Sequence, residues 1–478
     1  MLRSPIDPFT PAVELAAAIR RKEVSPVEVV DTYIERIDDL DPRLNAFCHR
    51  ADDDARKAAS AAADAVVRAA SAEDLPPFHG VPLPIKDLLD VAGWPTTHGS
   101  AGAGTAPAAA SDPVVQRFVD AGFVLLGKTT TSEFGTVPFT ENEAMGTTRN
   151  PWDPDRSPGG SSSGAGAAVA SGMAPIAHAA DGGGSIRIPA SCNGLVGLKP
   201  TRGLVTSLAV DLEGLATNGV LTRSVADAAA AMDVLARHDP AAWWSPPTPP
   251  IPFASAVAAA SPTGLRIGAL IHPPIDGLSA GPCAAAVFAT LRTLESAGHH
   301  VVDTRLPLPP TDELIAAFTT IWNVGAAGIA LEDPDRVEPH NRALRDAARA
   351  IDSWSYAEGV RKTQGFSRRI VEAFVTGFDL LVTPTMACLP PPVGALRAGA
   401  DDDPLMPLLN SYPMAVFTSL FNVTGQPAIS VPVHHDDATG LPVGVQIVAA
   451  PWREHLLLQV ARTLELADPW ADRRPPVS

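Results

Sequence analysis

The sequence predicts an α/β protein, a large mixed β-sheet covered by helices on both faces. Three observations carry this reading. From Gly80 onward, short apolar runs bounded by Gly and Pro alternate with helical segments. Hydrophobic residues make up 46% of the 478 and charged residues 19%, which is the composition of a folded chain rather than a disordered one. Aromatic residues are only 5%, so the interior must be filled by Ala, Val and Leu with backbones in close approach.

The elements follow in chain order. Residues 1 to about 75 read as helices. Ser25-Pro26-Val27-Glu28 is a capping box with Pro at the first helical position. The helix it opens carries Val29, Val30, Tyr33, Ile34 and Ile37 at 3–4 spacing, and Asp41-Pro42 is expected to end it. An Ala-rich helix follows over about 50–70. Strands are expected at 81–85, 123–126, 174–179 and 196–198, with helices at 114–121 and 224–237 between them. The Pro-rich stretch 239–264 reads as an internal linker or surface excursion. Residues 265–271, a helix near 284–297 and residues 300–304 repeat the strand–helix–strand rhythm. Later strands fall at 378–382, 428–433 and 444–448, and a helix over about 453–466 closes the chain. No internal repeat is visible. The whole reads as one domain, 1–478, made of a helical segment 1–75, a catalytic core 76–238, the excursion 239–264 and a C-terminal part 265–478.

Charge and cysteine usage exclude several function classes. There are 36 Lys+Arg against 53 Asp+Glu, a net charge of −17, which argues against binding nucleic acid or anionic membranes. Cys48, Cys192, Cys283 and Cys388 are far apart and form no CxxC pair, so neither a disulfide framework nor a zinc site is expected, and a reducing cytosol fits. The opening MLRSPIDPFTPAVEL has no apolar h-region, so no signal peptide is expected. The uncharged run 157–180 is rich in Gly and Ser and too weakly apolar to span a bilayer.

Some motif matches are accidental. Gly122-FVLL-Gly127-Lys128-Thr129 fits the P-loop pattern, but its four intervening residues are themselves a strand rather than a phosphate cradle. Gly160-Ser161-Ser162-Ser163-Gly164 fits GxSxG, yet NPWDPDRSP before it cannot be the central strand that a nucleophile elbow must follow. HExxH and SxxK are absent. The adjacent pairs His299-His300 and His434-His435 read as solvated loop residues rather than ligands.

Three segments carry the chemistry. Lysine occurs only six times, and Lys86 ends the apolar run GVPLPIKD. Two readings compete there: an ion pair with Asp87 or Asp90, or a desolvated lysine whose lowered pKa makes it a base. The second segment is SPGGSSSGAG, with three serines in a Gly-rich turn before an Ala-rich helix. The third is DGGGSIRIPA, in which three glycines ahead of Ser185 allow successive backbone N–H groups to point into one concavity.

With these segments in this order, the sequence strongly resembles the amidase signature family. The likeness runs through GVPLPIKD, GKTTTSEFG, RNPWDPDRSPGGSSSG, DGGGSIRIPAS, GLKPTRG, FNVTGQPAISVPV and GLPVGVQIVA. The spacings of 75 residues from Lys86 to Ser161 and 24 from Ser161 to Ser185 agree with it. The resemblance implies a Ser–cis-Ser–Lys triad: Ser185 as nucleophile, Ser161 as the bridging serine after a cis peptide bond from Gly160, and Lys86 as base. It implies an oxyanion hole from backbone N–H groups around Gly182, Gly183, Gly184 and Ser185, braced by an Asp181–Arg187 ion pair. It also implies a small-molecule amide substrate, no cofactor or metal, and a cytoplasmic enzyme, with homodimer formation left open. A serine hydroxyl is a weak nucleophile and needs such an adjacent base.

The sequence departs from the family pattern in places. Gly182 stands where Thr is frequent, and Ser163 where Gly is common. LEGLATNGVLTRS replaces the SLDxxGPxTRS-like run of amidotransferase A subunits, which argues against supplying ammonia to a partner. The C-terminal half and TRNPW look closest to bacterial 6-aminohexanoate-cyclic-dimer hydrolase-like amidases. Trp322 aligns with a cysteine of that group's pocket, and Trp322 and Thr136 are expected to shape the acyl pocket. The expected reaction is hydrolysis of a small or medium, mostly apolar amide. The alternatives are an amidotransferase A-type subunit, an α/β-hydrolase-type esterase or an inert scaffold, and intact Lys86, Ser161 and Ser185 argue against the last.

Overall fold

The computed structural model describes residues 6–208, 211–275 and 278–478, so the first five residues of the stretch read for a leader lie outside it. Strands β1 (Phe47–Arg50), β2 (Pro82–Lys86) and β3 (Val124–Thr129) form a three-stranded sheet in the order β1-β3-β2, with β2 parallel to β3. β4 (Glu141–Asn142) and β5 (Gly146–Thr147) make a small hairpin. The remaining strands are β6 (Ile176–Asp181), β7 (Val196–Lys199), β8 (Thr217–Thr222), β9 (Arg266–Ala269), β10 (His300–Val301), β11 (Leu380–Pro384), β12 (Ala428–His435) and β13 (Pro442–Ala449). They form one mixed eight-stranded sheet in the order β10-β9-β11-β13-β12-β7-β8-β6.

Both faces of this sheet are covered, because its strands are apolar on both sides. Ile429, Val431, Val445 and Ile447 join a cluster with Leu457, Leu464 and Val287 from helices Glu454–Ala467 and Cys283–Ser296. Ala428, Val448 and Leu381 pack with Ile370 and Phe374 of helix Ser353–Gly377. The alternation of single residues along β12 and β13 therefore divides the interior into layers.

The sequence reading differs from the fold in several places. Strands β2 and β3 belong to the separate three-stranded sheet. Strand β8, within TNGVLT, looks like a loop because of Asn218-Gly219, yet it fills the gap between β7 and β6 and all six residues are buried. Gly219 is required there, since a Cβ would sit 2.9 Å from the Leu198 carbonyl oxygen. Strand β1 was likewise not foreseen. The helix opened by the Ser25 capping box runs past Asp41-Pro42 to Leu44. Asn45 ends it in the left-handed conformation, and the Asp41 carboxylate accepts from the N–H groups of Ala46 (2.6 Å) and Phe47 (3.2 Å). The paired histidines do not lie in solvated loops, although His300 is exposed on its strand. His299 is buried, His300 opens β10, and His434 and His435 end β12, where the His435 ring lies 5.1 Å from that of Trp152.

The Pro-rich excursion contains one short helix, Phe253–Ala258, and exposes Trp243. The four cysteines are unpaired. Among the described residues no helix is long and apolar enough to cross a membrane.

The P-loop-like lysine has a structural role. Lys128 lies in β3 with its Nζ buried, donating to Asp87 Oδ1 (2.9 Å), the Pro95 carbonyl (2.7 Å) and Thr96 Oγ1 (2.6 Å). The carboxylate beside Lys86 is thus taken by a different lysine. Lys128→Met should strand a buried, unpaired Asp87 and lower unfolding free energy in urea by about 3–5 kcal/mol. A loss below ~1 kcal/mol would show that the pair is not a structural requirement.

Candidate active site

Lys86 is the last residue of β2, and its side chain is 1% exposed. Its Nζ lies 2.7 Å from Ser161 Oγ and 3.4 Å from the Ala180 carbonyl oxygen. Among the described residues it makes no ion pair. Its backbone N–H donates to His178 Nδ1 (3.3 Å), and His178 Nε2 lies 3.1 Å from Asn218 Oδ1. Burial holds His178 down at about 3, so its neutral form, with Nδ1 accepting and Nε2–H donating, suits both contacts. Burial likewise lowers Lys86 to about 7, and only partly does the Asp181 charge oppose it.

Ser161 follows the cis peptide bond from Gly160. It sits in the turn ahead of helix Ser163–Ala170. Its neighbour Ser162, the serine at the centre of GxSxG, is fully buried. Ser162 Oγ donates to the Ala180 carbonyl (3.3 Å) and accepts the Ala180 N–H (3.4 Å). That serine ties the turn to β6 and is withdrawn from solvent.

The loop carrying Ser185 leaves the end of β6 and enters helix Arg187–Asn193. Asp181 organises it. Both Asp181 and Arg187 are fully buried, and the guanidinium contacts the carboxylate through Nη2 (2.8 Å) and Nε (2.9 Å). The same carboxylate accepts from the N–H groups of Gly184 (2.7 Å) and Ile186 (3.2 Å) and from Asn422 Nδ2 (2.9 Å). Burial alone would raise its pKa, but the Arg187 charge and these hydrogen bonds outweigh burial and keep it well below the usual carboxylate range. Arg187 also donates to Gln446 Oε1 (2.5 Å) and the Thr418 carbonyl (2.8 Å).

This corrects one sequence-derived role. The Gly184 N–H is bound by Asp181 and is not free to stabilise an oxyanion. The N–H groups of Gly182, Gly183 and Ser185 remain as candidates. Gly184 itself is required, with φ +135° and a Cβ that would collide with Thr418 Oγ1. Thr418 Oγ1 donates to the Gly183 carbonyl (2.7 Å), which orients that peptide from its other side.

Ser185 opens onto a cavity of about 290 Å³. Gly183, Thr136 and Trp322 line the same cavity, so the structure brings together four of the residues singled out from sequence. The Thr136 hydroxyl is engaged with Asn341 Oδ1 (2.7 Å) and the Glu133 carbonyl (3.1 Å). Trp322 stacks on Phe318 at 5.1 Å and lies against the glycine loop. A Cβ on Gly182 would come within 3.3 Å of the indole, so Gly in place of the family's frequent Thr goes with a large aromatic opposite. Asn422 and Gln446, which hold the Asp181–Arg187 pair, were not singled out. Gln446 carries a signal as the lone polar residue of the apolar segment GVQIVA, whereas Asn422 stands beside Thr424 and Gln426 in FNVTGQ and carries none.

The chain is similar to known proteins over almost its whole length. The family described as Amidase matches residues 28–458. The 6-aminohexanoate-cyclic-dimer hydrolase of Paenarthrobacter ureafaciens is 37% identical over 494 aligned residues, covering 99% of this chain and 97% of that protein. A solved structure of 6-aminohexanoate cyclic dimer hydrolase superposes with a TM-score of 0.91 at 36% identity, covering 99% of both chains. The peptide amidase from Stenotrophomonas maltophilia gives 0.81 at 28% identity, covering 98% of both.

A lysine that is neutral in the folded protein above about pH 7, but stays protonated to about 10.5 when unfolded, favours the unfolded state as its protonated form. Between pH 7 and 10 the unfolded chain binds the extra proton, so stability rises with pH. Relative to Lys86→Met, the wild type should gain on the order of 1 kcal/mol per pH unit across this window in urea unfolding. Parallel stability curves for the two proteins would mean that Lys86 is charged in the fold.

Proposed function

This chain belongs to the amidase family, and from that premise we propose that Lys86, Ser161 and Ser185 form the triad with which it hydrolyses the C–N bond of small or medium, mostly apolar amides. The observation that carries the assignment is the 2.7 Å contact between a buried, ion-pair-free Lys86 Nζ and Ser161 Oγ. An uncharged amine at that distance accepts the Ser161 proton, and Ser161 in turn takes the proton of Ser185.

Ser185 Oγ then bonds to the amide carbonyl carbon, and the carbonyl π electrons move to oxygen. The N–H groups of Gly182, Gly183 and Ser185 are placed to hold that oxyanion, each donor supplying about 3–4 kcal/mol in sites of this kind. As the C–N bond breaks, the Ser161 hydroxyl protonates the leaving nitrogen and recovers a proton from Lys86. An amine departs and an ester to Ser185 remains. Water, deprotonated through the same pair, attacks the ester, and a carboxylate leaves. Every proton is carried by the triad, so the steps call for no metal or organic cofactor.

The cavity beside Ser185 supports the substrate class. Its wall is largely aliphatic and aromatic and includes Trp322 and Thr136, which on this reading shape the acyl pocket. The likeness to cyclic-dimer hydrolases and to a peptide amidase places both cyclic and linear amides within range. The net charge of −17 and the unpaired cysteines support a cytosolic enzyme acting on a small molecule.

A fluorophosphonate should add to Ser185 and leave the buried Ser162 unmodified, as read by peptide mass spectrometry. Ser185→Ala should lose at least about 10³-fold in kcat/KM. Lys86→Arg, which keeps a charge but cannot become neutral, should be nearly inactive. Activity of the wild type should fall on the acid side with a limb near pH 7, as Lys86 protonates. Adduct formation at Ser162, or a Lys86→Arg enzyme with most of its activity, would overturn the triad.

A further inference from the structure

Among the described residues, Leu212 and Glu213 are the one adjacent pair other than glycine in the left-handed region. Leu212 (φ 51°, ψ 44°) and Glu213 (φ 54°, ψ 30°) open the run LEGLATNGVLTRS, in which this sequence departs from the family pattern. Residues with a side chain rarely adopt that region, because Cβ crowds the following carbonyl oxygen. Here the turn is fixed from several sides. The Glu213 carboxylate accepts from the Tyr356 hydroxyl (2.8 Å), the Gly214 carbonyl from Arg202 Nε (2.8 Å) and the Leu215 carbonyl from Asn422 Nδ2 (3.0 Å). A strained turn persists only where its surroundings over-determine it, and such turns gather at functional sites.

What the strained turn achieves is the seating of one side chain. Leu212 Cδ1 lies 3.2 Å from the point where a Cβ on Gly182 would stand, and Trp322 Cζ3 lies 3.3 Å from the same point. On the other side, a Cβ on Gly325 would overlap Leu212 Cδ2. Gly325 stands in helix Thr311–Ala327, one turn after Trp322, and glycine is a poor helix former that any larger residue could replace only by displacing Leu212. Leu212 is therefore wedged between the glycine loop that leads to Ser185 and the helix that carries Trp322. Phe318 stacks on the Trp322 indole (5.1 Å). Leu212 does not itself line the cavity at Ser185, whereas Trp322 does.

We propose that Leu212 is the positioning residue that sets the width of the acyl pocket: from its wedge between Gly182 and Gly325 it holds the Trp322 indole in the cavity wall. The inference rests on Ser185 being the nucleophile and on Trp322 shaping the acyl pocket. The substrates this arrangement favours carry an unbranched acyl chain next to the cleaved carbonyl. With Leu212 shortened, Trp322 gains the space beside Gly325 and withdraws from the pocket, so that branched acyl groups enter. The effect passes through Trp322, and it disappears when the indole is absent.

The test uses two isomeric ethyl alkylphosphonofluoridates, one with a straight pentyl chain on phosphorus and one with a 1-ethylpropyl group. Intact-mass measurement gives the rate of Ser185 labelling by each, divided by that probe's own rate of hydrolysis in buffer. The wild type should favour the straight probe. Leu212→Ala should lower the straight-to-branched ratio about 10-fold. Trp322→Ala should lower it at least as far, and adding Leu212→Ala to Trp322→Ala should change it by less than about 2-fold. Leu212→Met keeps the reach of the side chain and should stay within about 3-fold of the wild-type ratio. Leu212→Asn serves if the alanine protein does not fold, because asparagine adopts the left-handed conformation readily and lacks the two methyl groups, and it should lower the ratio in the same direction. An unchanged ratio in the shortened variants, no preference in the wild type, or an equal fall with and without Trp322 would each overturn the role of Leu212. Failure of both probes to label Ser185 in the wild type would instead overturn the triad and the inference with it.

Discussion

The burial of one amine without a counter-ion is the constraint on which this site depends. Three lysines lie inside the protein, and each is treated differently. Lys128 has a carboxylate, Asp87, at 2.9 Å. Lys199 ends β7 and donates to the Pro200 carbonyl (2.8 Å). Lys86 meets a hydroxyl and a carbonyl. Burial brings both Lys86 and Lys199 to about 7, so a lowered pKa alone does not make a base. What distinguishes Lys86 is the serine hydroxyl at 2.7 Å.

The surrounding charges keep that arrangement intact. Asp181 lies close enough to raise the Lys86 pKa, which favours the ammonium over the neutral amine. Arg187 answers it with a bidentate contact, and Asn422 and two backbone N–H groups take up the remaining lone pairs of the carboxylate. The same contacts fold the loop that presents Ser185. One buried ion pair therefore shapes the Ser185 loop and offsets the charge of Asp181, and segments as far apart in the chain as β6 and Gln446 on β13 converge on it.

The sequence was most legible where local chemistry is distinctive. The capping box at Ser25, the lysine ending an apolar run and the two serine-bearing glycine turns stand out residue by residue, and their order pointed to the family. It was least legible where a role arises between segments far apart in the chain. The commitment of the Gly184 N–H to Asp181 could not be seen in DGGGS, because all three glycines look equivalent there. Strand β8 was hidden by its Asn-Gly, since only its neighbours β6 and β7 make that run a strand.

The central claim is that Lys86 is an uncharged amine near neutral pH in the folded protein. With six lysines in the chain, direct NMR of ¹³C,¹⁵N-labelled lysine side chains can follow each one. The Lys86 resonance, assigned by its loss in Lys86→Met, should titrate near pH 7 in the Ser185→Ala protein. A Lys86 signal that remains that of an ammonium up to pH 9 would contradict the account.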